Sequence, residues 1–307
     1  MNVSVYGAAN EEEETVRVLN HAIDTGCNFW DTADIYLNEK VLAKVLKTRR
    51  QEVFICTKFG NQRDAATGTF LGVSGKPEYV RKCCEDSLER LGVDCIDLFY
   101  QHRVDRNTPI EETVAAMAQL VKEGKVRYLG LSECSAETLR RAHKVYPIAA
   151  VQLEYSPWSL DIEENGLLEA CRELGVAIVA YSPLGRGFLT GSIKTLDDLE
   201  ATDFRRHSPR FSPENFANNL VLVDKIRELA TQKGCTPSQF VLAWVLAQGE
   251  DFIIIPGTKR TKYLDENGGA LDVQLTKGDM DAMRAAIKGT SVLGQRYAAM
   301  HMANVNI

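Results

Sequence analysis

The chain has no apolar run approaching the roughly 18 to 20 residues that a membrane-spanning helix requires, and its opening, MNVSVYGAANEEEE, has no basic segment ahead of an apolar core. Neither a membrane span nor a secretory leader is expected from that pattern. There is also no run of five or more Lys and Arg, and the 36 basic residues are outnumbered by 42 acidic ones, a formal charge of −6. A nucleic-acid or anionic-membrane binder would carry a basic face instead. Cysteine is present eight times, at 27, 56, 83, 84, 95, 134, 171 and 235, but never in a Cys-x-x-Cys spacing. Scattered thiols in a chain of this size are expected to be reduced, in the cytoplasm, with neither a disulfide framework nor a metal centre. The sequon Asn2-Val3-Ser4 therefore carries no weight. No Gly, Ser or Pro-rich linker divides the 307 residues, so one domain over 1–307 is expected.

Short runs rich in β-branched and aromatic residues alternate with helical-period segments along most of the chain, the pattern of a parallel α/β architecture. The spacing predicts strands over 28–31, 53–57, 96–101, 126–131, 149–153, 177–181 and 252–255. Helices are expected over 11–25, 39–47, 77–91, 109–122, 135–145, 163–174, 216–232 and 237–248. Ser135 stands where an N-cap belongs, Pro77, Pro109 and Pro237 fall in first turns, and Gly26, Gly92, Gly124 and Gly175 follow helices as C′ residues do. Seven strand–helix units are counted, and an α/β barrel of this length forms a single domain. The eighth unit would precede Glu11. Residues 183–215 break the rhythm, and a long aperiodic stretch after a barrel strand is expected to serve function.

In such a barrel the reacting groups sit at the C-terminal ends of the strands. Asp31 ends the first strand, Tyr36 lies in the loop beyond it, Lys58 just follows 53–57, and His102 just follows 96–101. Taken singly they read as a helix cap, a packing ring, a solvated charge and a satisfied imidazole. Taken together they suit the reduction of a carbonyl, in which hydride reaches carbon while a proton is given to oxygen. A phenol has a pKa near 10, and a neighbouring ammonium favours the phenolate. Lys58 is therefore expected to lower the pKa of Tyr36, Asp31 to keep Lys58 charged, and His102 to orient the substrate oxygen. The loops after the last two strands form the usual phosphate site of a barrel. Here they hold Ser182, Leu184, Gly185 and Arg186 in one and Gly257, Thr258, Lys259 and Arg260 in the other. Gly185-Arg186-Gly187 is no Rossmann fingerprint, because the next Gly comes four positions on without a helix to open.

The segments Asp31-Thr32-Ala33-Asp34-Ile35-Tyr36, Thr57-Lys58-Phe59-Gly60 and Tyr100-Gln101-His102 resemble those of the aldo-keto reductases. The likeness continues in order through Gly124-Lys125-Val126-Arg127-Tyr128-Leu129-Gly130-Leu131-Ser132, Gln152-Leu153-Glu154-Tyr155-Ser156, Tyr181-Ser182-Pro183-Leu184-Gly185-Arg186-Gly187 and Ile255-Pro256-Gly257-Thr258-Lys259-Arg260. The resemblance implies a (β/α)8 TIM barrel, NADPH as cofactor and a small-molecule carbonyl substrate. It implies a tetrad of Asp31, Tyr36, Lys58 and His102, with Tyr36 as general acid. It further implies that Ser132 and Gln152 hold the nicotinamide carboxamide, that Tyr181 stacks on its ring, that Lys259 and Arg260 meet the 2′-phosphate, and that Glu266 and Asn267 lie beside the adenine.

Three departures from the family pattern accompany this. Leu37 leads directly from Tyr36 into Asn38-Glu39, so the supporting loop is several residues short, and Glu133 stands where many members carry Asn. Residues 1–4 correspond only to the tail of a first barrel strand, which implies a truncated barrel with open edges at 252–255 and 28–31 and low solubility. The alternatives to an active reductase are a nucleotide-binding regulatory protein resembling the potassium-channel β subunits and an inactive truncated copy.

Overall fold

The structure is a computed structural model that describes residues 12–64 and 67–307. The expected strand tail at 1–4, the sequon at Asn2 and the helix start at Glu11 lie outside the described residues. The first helix, α1 (Glu12–Asp24), turns Val18, Leu19, Ala22 and Ile23 inward and leads to strand β1 (Phe29–Asp31). Then come α2 (Glu39–Arg49), β2 (Phe54–Phe59), a hairpin of β3 (Asn61–Arg63) and β4 (Phe70–Val73), α3 (Pro77–Leu91) and β5 (Ile96–Gln101). The middle of the chain runs α4 (Ile110–Lys122), β6 (Val126–Ser132), α5 (Ala136–Val145), β7 (Ile148–Glu154), α6 (Asp161–Glu164), α7 (Leu167–Leu174) and β8 (Ala177–Tyr181). The remainder is α8 (Pro213–Lys233), α9 (Pro237–Leu246), β9 (Phe252–Ile254), α10 (Thr261–Gly268), α11 (Lys277–Lys288) and α12 (Ala299–Met302).

Seven strands form one curled parallel sheet in the order β1-β2-β5-β6-β7-β8-β9. This is the (β/α)8 barrel with one strand lacking among the described residues, as the seven-unit count implied. Among those residues β1 pairs only with β2, and β9 only with β8. The helices cover the outer face of the sheet over a core that includes Leu42, Ile55, Phe99, Leu129, Val151, Ile178 and Trp244. The inner face carries a smaller cluster of Cys56, Leu98, Tyr100, Ala150 and Val179. Gly130 is required there, because a Cβ at that position would lie 2.4 Å from the Tyr100 ring. No helix among the described residues is long and apolar enough to cross a membrane.

The local signals act as expected at several ends. Ser135 accepts a hydrogen bond from the Thr138 amide at 3.2 Å, and Pro77 and Pro237 begin α3 and α9. Pro109 is instead the cap before α4. The expected helix over 163–174 is two helices, α6 and α7, because Asn165-Gly166 adopts a turn with Gly166 at φ 80°, closed to most side chains. The β3–β4 hairpin, α10, α11 and α12 are additions to the expected elements. The aperiodic stretch 183–215 is a series of short 3₁₀ turns laid over the strand ends, among them Gly185–Thr190, Phe204–His207 and Pro209–Phe211.

Candidate active site

Successive residues of a strand face opposite sides of the sheet, and the register of the barrel turns that rule into a site. Cys56, Leu98, Ala150 and Val179 point inward. Counting two or four residues onward along the same strands gives Lys58, His102, Gln152 and Tyr181, and Asp31 and Ser132 occupy the matching positions on β1 and β6. Six residues from six neighbouring strands therefore converge at the C-terminal mouth. Lys58 is fully buried. Its Nζ donates to Asp31 Oδ1 at 2.5 Å and to the Thr32 carbonyl at 2.7 Å, and it stands 5.1 Å from the centre of the Tyr36 ring. Burial alone would push the Lys58 ammonium down, but Asp31 and Tyr36 outweigh it and hold the group above its ordinary value. Lys58 is a cation.

Tyr36 closes a 3₁₀ turn, Asp34–Tyr36, and meets the His102 ring edge-on with centroids 5.8 Å apart. The shortened loop is accommodated by Leu37, which takes the left-handed region at φ 57° and leaves its side chain 90% exposed. Asn38 then begins α2 with its Oδ1 bound by the Thr32 hydroxyl at 2.6 Å. The net shift on Tyr36 differs from expectation. Burial raises the phenol pKa more than Lys58 lowers it, so the hydroxyl stays protonated above its usual range. His102 is pushed well below 6.5 by burial and by the cations Arg103 and Lys58, and is a neutral imidazole whose Nδ1 has no hydrogen-bond partner among the described residues.

Ser132 and Gln152 are buried beside this group, and Gln152 Nε2 donates to Asp31 Oδ2 at 2.7 Å. Tyr181 is half-buried with its hydroxyl 2.6 Å from Glu133 Oε1 and 2.9 Å from the Tyr297 hydroxyl. Glu133 itself takes φ 53°, and its carboxylate receives both arms of Arg296 at 2.9 and 3.1 Å. Burial acts to raise the Glu133 pKa, yet Arg296 and Arg103 hold it below the usual carboxylate range. Arg296 and Tyr297 belong to the stretch after α11, which returns across the mouth. Asn306 and Ile307 anchor its end, the Asn306 amide on the Glu133 carbonyl and the Ile307 carbonyl on the Ser135 amide, both at 2.8 Å.

The two expected phosphate loops stand after β8 and β9. In the first, Ser182 (φ 49°) and Arg186 (58°) hold the left-handed conformation that strains a residue with a side chain, of the sort that functional sites retain, and Gly185 (57°) and Gly187 (89°) adopt it freely. Arg186 is turned inward, buried, with an ion pair to Glu154 at 3.4 Å and its guanidinium stacked 4.6 Å from the Tyr297 ring. Leu184 is half-buried beside it. In the second loop, exposed Gly257 leads to Thr258 and half-buried Lys259, and Arg260 is the exposed cap of α10. The Thr258 hydroxyl accepts from the Arg260 amide at 3.2 Å. Burial, with Arg205 nearby, lowers the pKa of Lys259. Glu266 and Asn267 are half-buried in the last turn of α10.

Three members of this constellation carry little signal along the chain. Arg103 is marked only by its place directly after His102. Arg296 and Tyr297 follow the last long helix with no periodicity, and the sole hint is a basic–aromatic pair after Gly294-Gln295.

Comparison with known proteins places this geometry among relatives. The aldo/keto reductase family model matches residues 2–288. The chain is 54% identical to the aldo-keto reductase str7 of Strobilurus tenacellus over 300 residues, which is 96% of this chain and 87% of that protein. It is 50% identical over 301 residues to the aldo-keto reductase yakc [NADP(+)] of Schizosaccharomyces pombe, covering 96% and 88%. Among solved structures, the glycerol dehydrogenase AKR11B4 of Gluconobacter oxydans superposes with a TM-score of 0.86 at 27% identity, covering 96% of this chain and 91% of that one.

Proposed function

The chain belongs to the aldo/keto reductase family, and on that premise we propose that it is an NADPH-dependent oxidoreductase that reduces an aldehyde or ketone to an alcohol, with Tyr36 as general acid. The observation that carries the reading is the contact set around Lys58, a buried ammonium paired to Asp31 and facing Tyr36, which in turn lies against neutral His102. NADPH, when bound, supplies the hydride that reaches the carbonyl carbon. His102, as a neutral imidazole, donates a hydrogen bond to the carbonyl oxygen and holds it beside the Tyr36 hydroxyl. Tyr36 gives its proton to that oxygen as negative charge develops there, and the phenolate left behind is stabilised by Lys58 until it regains a proton from solvent. Asp31 keeps Lys58 charged in a site from which water is largely excluded.

The donor set suits a nicotinamide dinucleotide. Ser132 and Gln152 offer a hydroxyl and an amide to a carboxamide, and the Tyr181 ring lies at the mouth. The positive-φ residues Ser182, Gly185, Arg186 and Gly187 turn the backbone after β8, and the phosphates would lie against that turn. Thr258, Lys259 and Arg260 at the start of α10 combine two cations with a helix N-terminus, which favours the extra phosphate of NADPH. Glu266 and Asn267 would lie toward the adenine. The reading assigns this work to one barrel domain acting in the cytoplasm.

The test is Tyr36→Phe, assayed on a reactive aldehyde beside an NADPH fluorescence titration. Reduction should fall by about 10² to 10⁴ while the nucleotide dissociation constant stays within about twofold. Wild-type turnover in the variant would remove Tyr36 from the role of acid. A wild-type protein that binds NADPH without turnover would favour the regulatory reading.

A further inference from the structure

Among the described residues, one cation at the mouth of the barrel forms no ion pair. Buried Arg186 and Arg296 and half-buried Arg205 and Arg210 each face a carboxylate, of Glu154, Glu133, Asp203 and Glu154 respectively, at 3.4, 2.9, 2.6 and 3.7 Å. Arg103 is half-buried in the same region, yet among the described residues it forms no ion pair. Its Nη1 donates to the carbonyl of His102 at 2.7 Å and reaches the Ser132 hydroxyl at 3.5 Å. The ionisable groups around it are Tyr181, Tyr297, Glu133 and Tyr36. Of these only Glu133 is an acid, and its oxygens are already engaged by Arg296 and Tyr181.

A guanidinium taken partly out of water is unfavourable unless an anion meets it, and its planar fork matches a carboxylate through two parallel hydrogen bonds. The phosphates of the cofactor are poorly placed to be that anion. Their loops follow β8 and β9, whereas Arg103 follows β5, three and four strands away in the sheet order. Its neighbours are instead His102 and Tyr36, proposed to face the reacting carbonyl, and Ser132 and Tyr181, proposed to face the nicotinamide end of the cofactor. We propose that the physiological substrate is an aldehyde or ketone bearing a carboxylate, and that Arg103 receives this group. The assignment rests on the reductase reading and adds to it the substrate class and the residue that selects it.

The experiment compares kcat/KM for 4-carboxybenzaldehyde and its neutral isostere 4-formylbenzamide, with NADPH, in the wild-type protein, Arg103→Gln and Arg103→Lys. The dissociation constant for NADPH is measured in each as a check on the folded site. The ratio of the two efficiencies cancels the intrinsic reactivity of the aldehydes. Arg103→Gln should lower that ratio about tenfold to hundredfold, the worth of hydrogen bonds to a charged group, and Arg103→Lys should restore part of it. NADPH affinity should be shared by all three proteins. An unchanged ratio in Arg103→Gln overturns the assignment while leaving the reductase reading intact. Equal losses on both aldehydes together with weaker NADPH binding would make Arg103 a cofactor ligand and overturn it too. Turnover of neither aldehyde by the wild-type protein would overturn the reductase reading, and this assignment with it.

Discussion

Replacing Asp31 by Asn keeps the shape of the side chain and removes the charge that holds Lys58. Lys58 is 0% exposed and Asp31 6%, so the pair is sheltered from solvent screening. Removing one partner of a buried pair destabilises by about 3–5 kcal/mol, a large share of a net stability of about 5–15 kcal/mol. The loss should depend on pH in a defined direction. In the wild-type protein Lys58 is held above its ordinary value of 10.5, so its contribution is fully present below 10.5 and is lost only as pH rises through the higher folded value. In Asp31→Asn, burial acts with its main opponent gone and the folded value falls below 10.5. The folded protein then binds fewer protons than the unfolded chain between those two values, and stability rises with pH across that window by up to about 1.4 kcal/mol per unit. Urea unfolding of both proteins from near neutral pH to near pH 10 measures this. The gap should be widest near neutrality and close toward pH 10, while reductase activity falls throughout the range. A difference below about 1 kcal/mol near neutrality, or a gap that does not change with pH, would refute the role of Asp31 as the residue that keeps Lys58 charged.

Two other outcomes follow from the cofactor loops and the C-terminal crossing. Lys259→Met combined with Arg260→Gln should weaken NADPH by about tenfold or more and leave NADH nearly unchanged in fluorescence titrations. Equal shifts for the two nucleotides would remove the 2′-phosphate from these residues. Glu133→Gln should lower stability by on the order of 3 kcal/mol and speed proteolysis within residues 291–307, because the paired contacts to Arg296 tether that stretch. Unchanged cleavage would show that the backbone contacts of Asn306 and Ile307 hold it alone.

The seven barrel strands were legible because each is a compact run of β-branched or aromatic residues flanked by turn chemistry, and all seven appear within a few residues of their expected bounds. The hairpin of β3 and β4 was not, because it buries no complete face. Gln62, Arg63, Phe70 and Leu71 are all partly or largely exposed, with Leu71 at 64%, so burial imposes no alternation on it. Helices α10 and α11 escaped for a related reason. Among their residues only Met283 is buried, which leaves little apolar period to detect. The reverse error occurred at 163–174, where apolar spacing runs through from Ile162 to Cys171 while Gly166 breaks the helix.

The site divides in the same way. Asp31, Lys58 and His102 could be brought together from the sequence because a parallel barrel carries its strand ends to one mouth, whereas Ser132, Gln152 and Tyr181 were named by resemblance to the family. The charge states and partnerships did not follow. Burial, which depends on the whole packed structure, raises the Tyr36 hydroxyl against the pull of Lys58, and neutralises His102. Arg186 lay in an expected phosphate loop, yet in the fold it turns inward to Glu154. Arg296 and Glu133 are 163 positions apart, and their pairing exists only because the chain returns across the barrel after its last long helix. The sequence by itself determined which groups reach the mouth of the barrel. Only the tertiary structure decided which of them are charged, which are already paired, and that Arg103 forms no ion pair among the described residues, because desolvation and ion pairing depend on distances that no single segment sets.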